Sequence, residues 1–202
     1  MGDSLERVRA FSMLVRREVG FQLEMVQYGL EPGDWKPMRT IGPGVGEIRV
    51  HVEGEHRVFY VARFEKAVYV LGAFSKKTQK NATKRGRPRQ GSLPGSASQG
   101  RVDEMTQRSK TNRRSTDVFA DLGFTPAEAE NLRIRSAMMR ALIDFVRTNK
   151  LTQVRAARLL GVSQPRISDL MRGKINLFSI DNLVNLLAAA GLRVDLKVTK
   201  VA

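Results

Sequence analysis

Leu151 to Gly173, LTQVRAARLLGVSQPRISDLMRG, restricts the fold of this chain more than any other stretch. Ala157 is small, as needed where two short helices cross, and Gly161 follows four residues later, where the chain must turn sharply. Ile167 comes six residues after that, placed to plug a second helix onto the first. Ala156, Leu160, Val162 and Leu170 add apolar contacts at helical spacing. Between these positions the second helix exposes Gln164, Arg166, Ser168, Asp169 and Arg172. This is the pattern of a helix-turn-helix. Gln and Arg are the residue types that make paired hydrogen bonds to adenine and guanine edges in the major groove.

Charge supports a polyanionic partner. The 202 residues carry 35 Lys+Arg against 20 Asp+Glu, a formal net charge of +15. Nucleic acid fits that balance better than a membrane surface. The excess is uneven: residues 1–75 balance to zero, residues 76–116 hold twelve basic and two acidic side chains, and residues 117–202 hold thirteen and eight. Cysteine is absent, which excludes disulfides and thiolate metal sites and fits a cytoplasmic protein. Two histidines, His51 and His56, are too few for a metal cluster, and no cofactor is expected. No apolar run approaches the roughly 18 residues of a membrane span.

From the start of the chain, Ser4 and Ser12 are placed to cap helices over LERVRA and MLVRREVGFQLEMVQYG. A Gly/Pro loop follows with Trp35, read as a packing anchor. After Gly42-Pro43-Gly44 the period changes to two, giving three antiparallel strands broken at Glu53-Gly54-Glu55 and Glu65-Lys66. The third, AVYVLGAF, is apolar on both faces and is expected to be central. The result is an α+β domain with two helices on an antiparallel sheet. NATKRGRPRQGSLPGSASQGR then has almost nothing apolar to bury and reads as a disordered basic linker. Beyond Val118, Thr125-Pro126 with Glu128 marks a capped helix start, Thr152 opens the helix-turn-helix, and Ser179 caps a last helix ending at Gly191. RVDLKVTKV alternates strictly and reads as a C-terminal strand in want of a partner.

Two families come into view on these residues. GDSLERVRAF, GLEPGDWKPM and RVFYVARFEKAVYVLGAFSKKTQK, within residues 1–80, resemble the RelE/HigB toxins of the phage Gp49-like branch. The resemblance implies metal-independent cleavage of mRNA on the ribosome, in which a ribose 2′-OH attacks the neighbouring phosphate and cationic side chains stabilise the added charge. Arg49, Arg57, Lys76 and Lys77 are the candidates to do so. His51 and His56 are read as exposed strand or turn residues, with proton transfer as the alternative. Gly72 stands where this branch commonly has a histidine, and Gly46 where a larger residue is usual. The C-terminal helix of the family is replaced by the linker, so any enzyme here is expected to be attenuated.

Residues 117–202, through VFADLGF, the helix-turn-helix and the closing strand, resemble XRE (lambda repressor-like) antitoxins of HigA type. That resemblance implies a five-helix DNA-binding domain. Thr152, Gln153 and Lys174 would hold phosphates, and Ser163, Gln164, Arg166 and Ser168 would lie at the groove with Arg172 nearby. Asp169 would repel phosphate unless paired with Arg166 or Arg172. A homodimer reading a palindrome is expected, because one recognition helix covers only a half-site. The expected domains are thus a toxin-like unit (1–80), a linker (81–116) and an antitoxin-like unit (117–202). Met105 opens a plausible separate start, and residues from about 81 to 104 read as junction sequence. The implied partners are operator DNA, and ribosome and mRNA for the first unit.

Overall fold

The computed structural model describes residues 4–64, 67–76 and 117–199. The linker, Lys77, Met105, the Glu65-Lys66 break and the segment expected to stand in place of a C-terminal helix lie outside the described residues.

Two helices, α1 (Ser4–Arg9) and α2 (Met13–Gln27), precede a sheet of β1 (Trp35–Pro37), β2 (Val45–Val50), β3 (Glu55–Phe64) and β4 (Ala67–Lys76). The order is β1-β2-β3-β4, antiparallel throughout. Ser12 caps α2 by accepting from the Val15 amide. Ser4 instead donates to the Val70 carbonyl (2.8 Å), tying α1 to β4. Trp35 sits in the short edge strand β1, opposite Ile48, and not in a loop. AVYVLGAF is not central either: β4 is an edge strand, and β2 and β3 occupy the middle. Its second apolar face is simply exposed, at Leu71 and Phe74. Apolar residues on both faces of a strand therefore signalled an uncovered face here, not a covered one.

One face of the sheet, with Ile48, Val50, Val58, Tyr60 and Ala73, packs on the helices. Gly46 belongs to that face. A Cβ there would lie 2.6 Å from the Tyr60 ring, so the aromatic side chain takes the space a larger residue would need.

The second unit contains α3 (Val118–Asp121), α4 (Pro126–Thr148), α5 (Gln153–Leu159), α6 (Gln164–Met171), a single 3-10 turn (Ile175–Leu177) and α7 (Ile180–Ala189). The Thr125/Glu128 capping box forms at the start of α4, and Thr152 and Ser179 cap α5 and α7. The core is Leu132, Met139, Leu142, Ile143, Ile167, Leu170, Phe178 and Leu183, each 2 % exposed or less. Full burial of side chains of this size stabilises by about 1.5–3 kcal/mol each. Residues 192–199 form neither helix nor strand, contrary to the alternating pattern. A strand needs a neighbour, and this segment pairs with none of the described strands.

The two units share one continuous core, and α2 lies at its centre. Every residue from Glu18 to Met25 is buried. The sheet covers one side of the helix, and α3, α4 and the 3-10 turn cover the other. Gly20 lets Phe119 and Leu122 approach: a Cβ there would meet the Phe119 ring at 2.6 Å. Polar groups close the seam. Gln22 donates to the Arg172 carbonyl (2.8 Å) and Asn176 to the Leu14 carbonyl (2.9 Å), while Arg16 donates to the Leu122 carbonyl (3.0 Å). Glu24 accepts from Ser136 and pairs with Arg140 (2.6 Å), whose guanidinium stacks over Tyr28 at 3.9 Å.

Candidate nucleic-acid interface

The helix-turn-helix forms as its spacing requires. Ala156 and Ala157 are buried where α5 meets α6, and Gly161 takes a left-handed φ of +66° in the turn. No atom crowds Gly161, so the backbone angle and not a close approach demands glycine there. The Val162 amide closes the turn on the Ala157 carbonyl (3.0 Å). Pro165 lies in the first turn of α6, where its missing N–H costs nothing.

The exposed edge of this motif carries Thr152, Gln153, Ser163 and Gln164. Gln164 Nε2 donates to Gln153 Oε1 (2.5 Å), so the residue at the head of α6 is held by the one at the head of α5. Ser163 makes no capping bond with its side chain. Ser168 and Arg172 continue this stripe at i+4 and i+8 from Gln164, Ser168 half-buried and Arg172 exposed.

Arg166 is not brought together with them. Two residues beyond Gln164 it points roughly 200° around the helix, away from the stripe. Its guanidinium donates to the Leu177 carbonyl (2.6 Å) and to Asn182 (3.3 Å) and stacks over Phe178 at 4.1 Å. Helical phase was the sequence signal for this separation. Asp169 pairs with neither Arg166 nor Arg172 but with Lys174 (2.7 Å). Gly173, at φ +74°, ends α6 and turns the chain so that the Lys174 amide meets the Asp169 carbonyl (3.1 Å).

A second cationic surface lies on the sheet face turned away from the helices. Arg49 and Arg57 are direct cross-strand partners. Both converge on Glu47, which is only 2 % exposed: Arg57 donates to it, Arg49 Nε lies 3.8 Å away, and Lys36 reaches its other oxygen at 3.5 Å. Glu47 was not among the residues singled out from the sequence, although its i,i+2 relation to Arg49 in a strand places both on one face. Phe59 and Phe74 pack beside them with ring centroids 5.9 Å apart. Gly72 is opposite Phe59 with open space above its Cα. Lys76 is exposed at the end of β4, opposite Glu55.

The histidines divide. His51 is exposed and held between Asp34 (2.8 Å) and Glu55 (2.7 Å), which push its pKa up by accepting from the charged ring. His56 is not exposed as expected but buried, with Ser75 Oγ 2.9 Å from Nδ1 and Phe11 edge-on at 5.0 Å. It points into the core face, where it packs and cannot reach the Arg49–Arg57 surface.

The two surfaces meet at a cleft of about 630 Å³ along the seam. Arg49, Asp34 and His51 line one wall, Arg172, Lys174 and Asn176 the other, and Glu18 of α2 the floor. Burial pushes the Glu18 carboxyl up to about 7. Among the described residues no group of His, Asp and Glu could hold a metal ion.

Residues 118–199 match the family model described as a helix-turn-helix domain. Residues 6–86 match that of the phage derived protein Gp49-like (DUF891) family. The chain joins a Gp49-like domain to a helix-turn-helix domain. No curated protein matches it. The Gp49-like domain thus contributes α1, α2 and the sheet, and the helix-turn-helix domain contributes α3 to α7. Among the described residues no helix is long and apolar enough to cross a membrane.

Proposed function

We propose that this protein is a sequence-specific DNA-binding regulator of a type II toxin–antitoxin system, a HigA-like antitoxin fused to a HigB-like toxin and acting in the cytoplasm. The observation that carries this reading is the Gln153–Gln164 pair at the exposed head of α6. It fixes a bidentate amide beside exposed Ser163, with Ser168 and Arg172 following on the same stripe. Thr152, Gln153 and Lys174 contact phosphate, Gln164 and Ser168 read base edges, and Arg166 braces α6 on the α7 side. Two copies read a palindrome. The Gp49-like domain docks at the far end of α6, at Arg172 and Gly173, and leaves the head clear. Binding of the full chain to DNA upstream of its gene, followed by fluorescence anisotropy, weakens steeply with salt. It falls by ~100-fold in the Gln153→Ala, Gln164→Ala double variant, the loss of one base contact and one phosphate contact. Undiminished binding in that variant refutes the assignment.

A second reading rests on the sheet face. Arg49 and Arg57, with Lys76 at the strand end and Lys77 next in the sequence, would stabilise a phosphate during ribosome-dependent mRNA cleavage. Lys36 and the Phe59–Phe74 pair lie on the same surface. Expression of residues 1–80, with and without residues 105–202 supplied separately, tests it. Growth arrest with mRNA cleavage, lost on Arg57→Ala and relieved by the second fragment, favours the enzyme. Harmless expression of a soluble, folded fragment leaves only the regulator. If residues 81–104 are a junction between two reading frames, a blot against the C-terminus shows a half-mass product starting at Met105.

A further inference from the structure

The cleft of about 630 Å³ at the seam is a built space and not a gap left by loose docking. Gln22 ties its two walls together: the side chain accepts from the Gly33 amide (2.7 Å) and donates to the Arg172 carbonyl (2.8 Å). A Cβ on Gly33 would lie 2.4 Å from that same carbonyl, so the two backbones are in direct contact. Asn176 Nδ2 fastens the helix-turn-helix domain to the Leu14 carbonyl (2.9 Å). Its Oδ1 is left buried, with no hydrogen-bond partner among the described residues. Leu14, Val52 and Leu177 give the lining an apolar part. Volume, place between domains and mixed lining are those of a small-molecule site.

The cations of the cleft are not spent on the protein. Arg49 reaches Asp34 and Glu47 only at 3.8 Å, and its buried Nε has no hydrogen-bond partner among the described residues. The exposed Arg172 guanidinium makes no ion pair among them. Lys174 Nζ meets Asp169 at 2.7 Å, which engages one of its three donors. The acids, by contrast, are occupied or neutral. Asp34 is taken by His51 (2.8 Å), and desolvation keeps the proton on Glu18 up to about 7.

We propose that this cleft binds a small organic phosphate of nucleoside monophosphate size, held between Arg49 of the Gp49-like domain and Arg172 and Lys174 of the helix-turn-helix domain, and that this ligand competes with operator DNA. Arginine forks match phosphate oxygens, and a lysine adds a mobile point charge. The orphaned Asn176 oxygen calls for an N–H or O–H donor on the body of the ligand, which a nucleoside supplies. The competition rests on the regulator reading, which places Arg172 and Lys174 against DNA; the binding site does not.

Titration calorimetry of adenosine 5′-monophosphate into the full chain, free of DNA, tests the site. The nucleotide binds saturably, and adenosine, without the phosphate, binds at least ~10-fold more weakly. Arg49→Ala and Arg172→Ala each weaken the nucleotide by at least ~10-fold, the loss of a charge-assisted hydrogen bond. Arg147→Ala, an equal loss of charge at the exposed end of α4, changes nothing. Arg172 docks through its backbone carbonyl, so its variant leaves the seam intact, and melting curves verify this for each variant. No saturable binding, equal binding of adenosine, indifference to Arg49→Ala and Arg172→Ala, or an equal loss in Arg147→Ala overturns the site. In fluorescence anisotropy, saturating nucleotide weakens operator binding ~10-fold in the unaltered chain and not in Arg49→Ala, and DNA lowers nucleotide affinity by the same factor. Nucleotide binding without that effect overturns the competition. A chain that binds the nucleotide but no DNA refutes the regulator reading and leaves the site standing.

Discussion

The exposed edge of the helix-turn-helix and the outward face of the sheet are both built from polar and cationic side chains, yet they are prepared differently. At the head of α6, Gln164 is oriented by another neutral amide, while the one carboxylate of α6, Asp169, is tied to Lys174. On the sheet, Glu47 sits beneath Arg49, Arg57 and Lys36, and Asp34 and Glu55 hold His51. Much of that charge is neutralised inside the protein. A phosphate arriving at the sheet must compete with Glu47, whereas one arriving at the head of α5 and α6 meets exposed hydroxyl and amide groups with no acid among them. Net charge therefore says little about which surface binds better. The head of the helix-turn-helix, whose polar groups are not held by an acid, is the readier of the two.

Gly72 offers the largest change to that comparison. It lies opposite Phe59 on the same face as Arg57, and a Cβ added there would have nothing within 4 Å. The sheet therefore accepts Gly72→His without a clash. If the sheet is a ribonuclease weakened by the loss of a proton-transfer group, this single change raises mRNA cleavage by ~100-fold, the lower end of what a positioned acid or base contributes. Primer extension on a reporter message measures it. No gain in the stable variant means that more than one missing histidine separates this surface from catalysis, and the regulator reading stands alone.

How much of this was legible varied with the distance over which each feature is determined. Helix starts at Ser12, Thr125, Thr152 and Ser179 depend on a few neighbouring atoms, and all four hydroxyls cap as expected. The Gly161 turn likewise follows from local backbone angle. The place of β4 at the edge, and the burial of His56, depend on which elements cover which face, and alternation alone does not say. The docking of α2 was invisible for the same reason. Glu18, Gln22 and Glu24 look like the solvated side of an amphipathic helix, but they are the polar contacts of a second interface. In the site, the stripe from Gln164 to Arg172 was readable by helical phase. The turn of Arg166 onto Phe178, and the pairing of Asp169 with Lys174 across Gly173, required the chain path after α6.

The seam between the two surfaces carries a pH dependence. Glu18 is buried on the floor of the cleft, where desolvation lifts it to about 7 against the effects of Asn176, Lys174 and His51, with Asp169 raising it further. A carboxyl raised on folding binds its proton more tightly in the folded state. Its contribution is complete below about pH 4.5 and is lost as pH rises through 7. His51, also raised, loses its contribution in the same direction, as pH climbs past its ordinary value. Stability should thus fall by about 2 kcal/mol between pH 5 and 8, after allowance for partial solvation. Glu18→Gln keeps the hydrogen bond to Asn176 and removes the titration, so its urea midpoint varies less over that range. An equal slope in both proteins places the titrating group elsewhere and removes any pH-linked coupling between the two surfaces.

The smallest of these effects is also the most direct measure of the difference between them. Glu47→Gln removes one negative charge from among Arg49, Arg57 and Lys36 while keeping an acceptor of the same size. Freed cations neutralise more phosphates and release more counterions. The affinity of the full chain for a short single-stranded RNA therefore rises about tenfold at low salt, and the slope of log affinity against log salt steepens by roughly one. Binding to operator DNA, through α5 and α6, does not change. If RNA affinity is instead unaltered, the arginines were already available, and Glu47 orders the strand pair without masking its charge. The contrast between a prepared and a self-neutralised surface would then rest on the aromatic pair Phe59–Phe74 and the open position at Gly72, not on the acid beneath them.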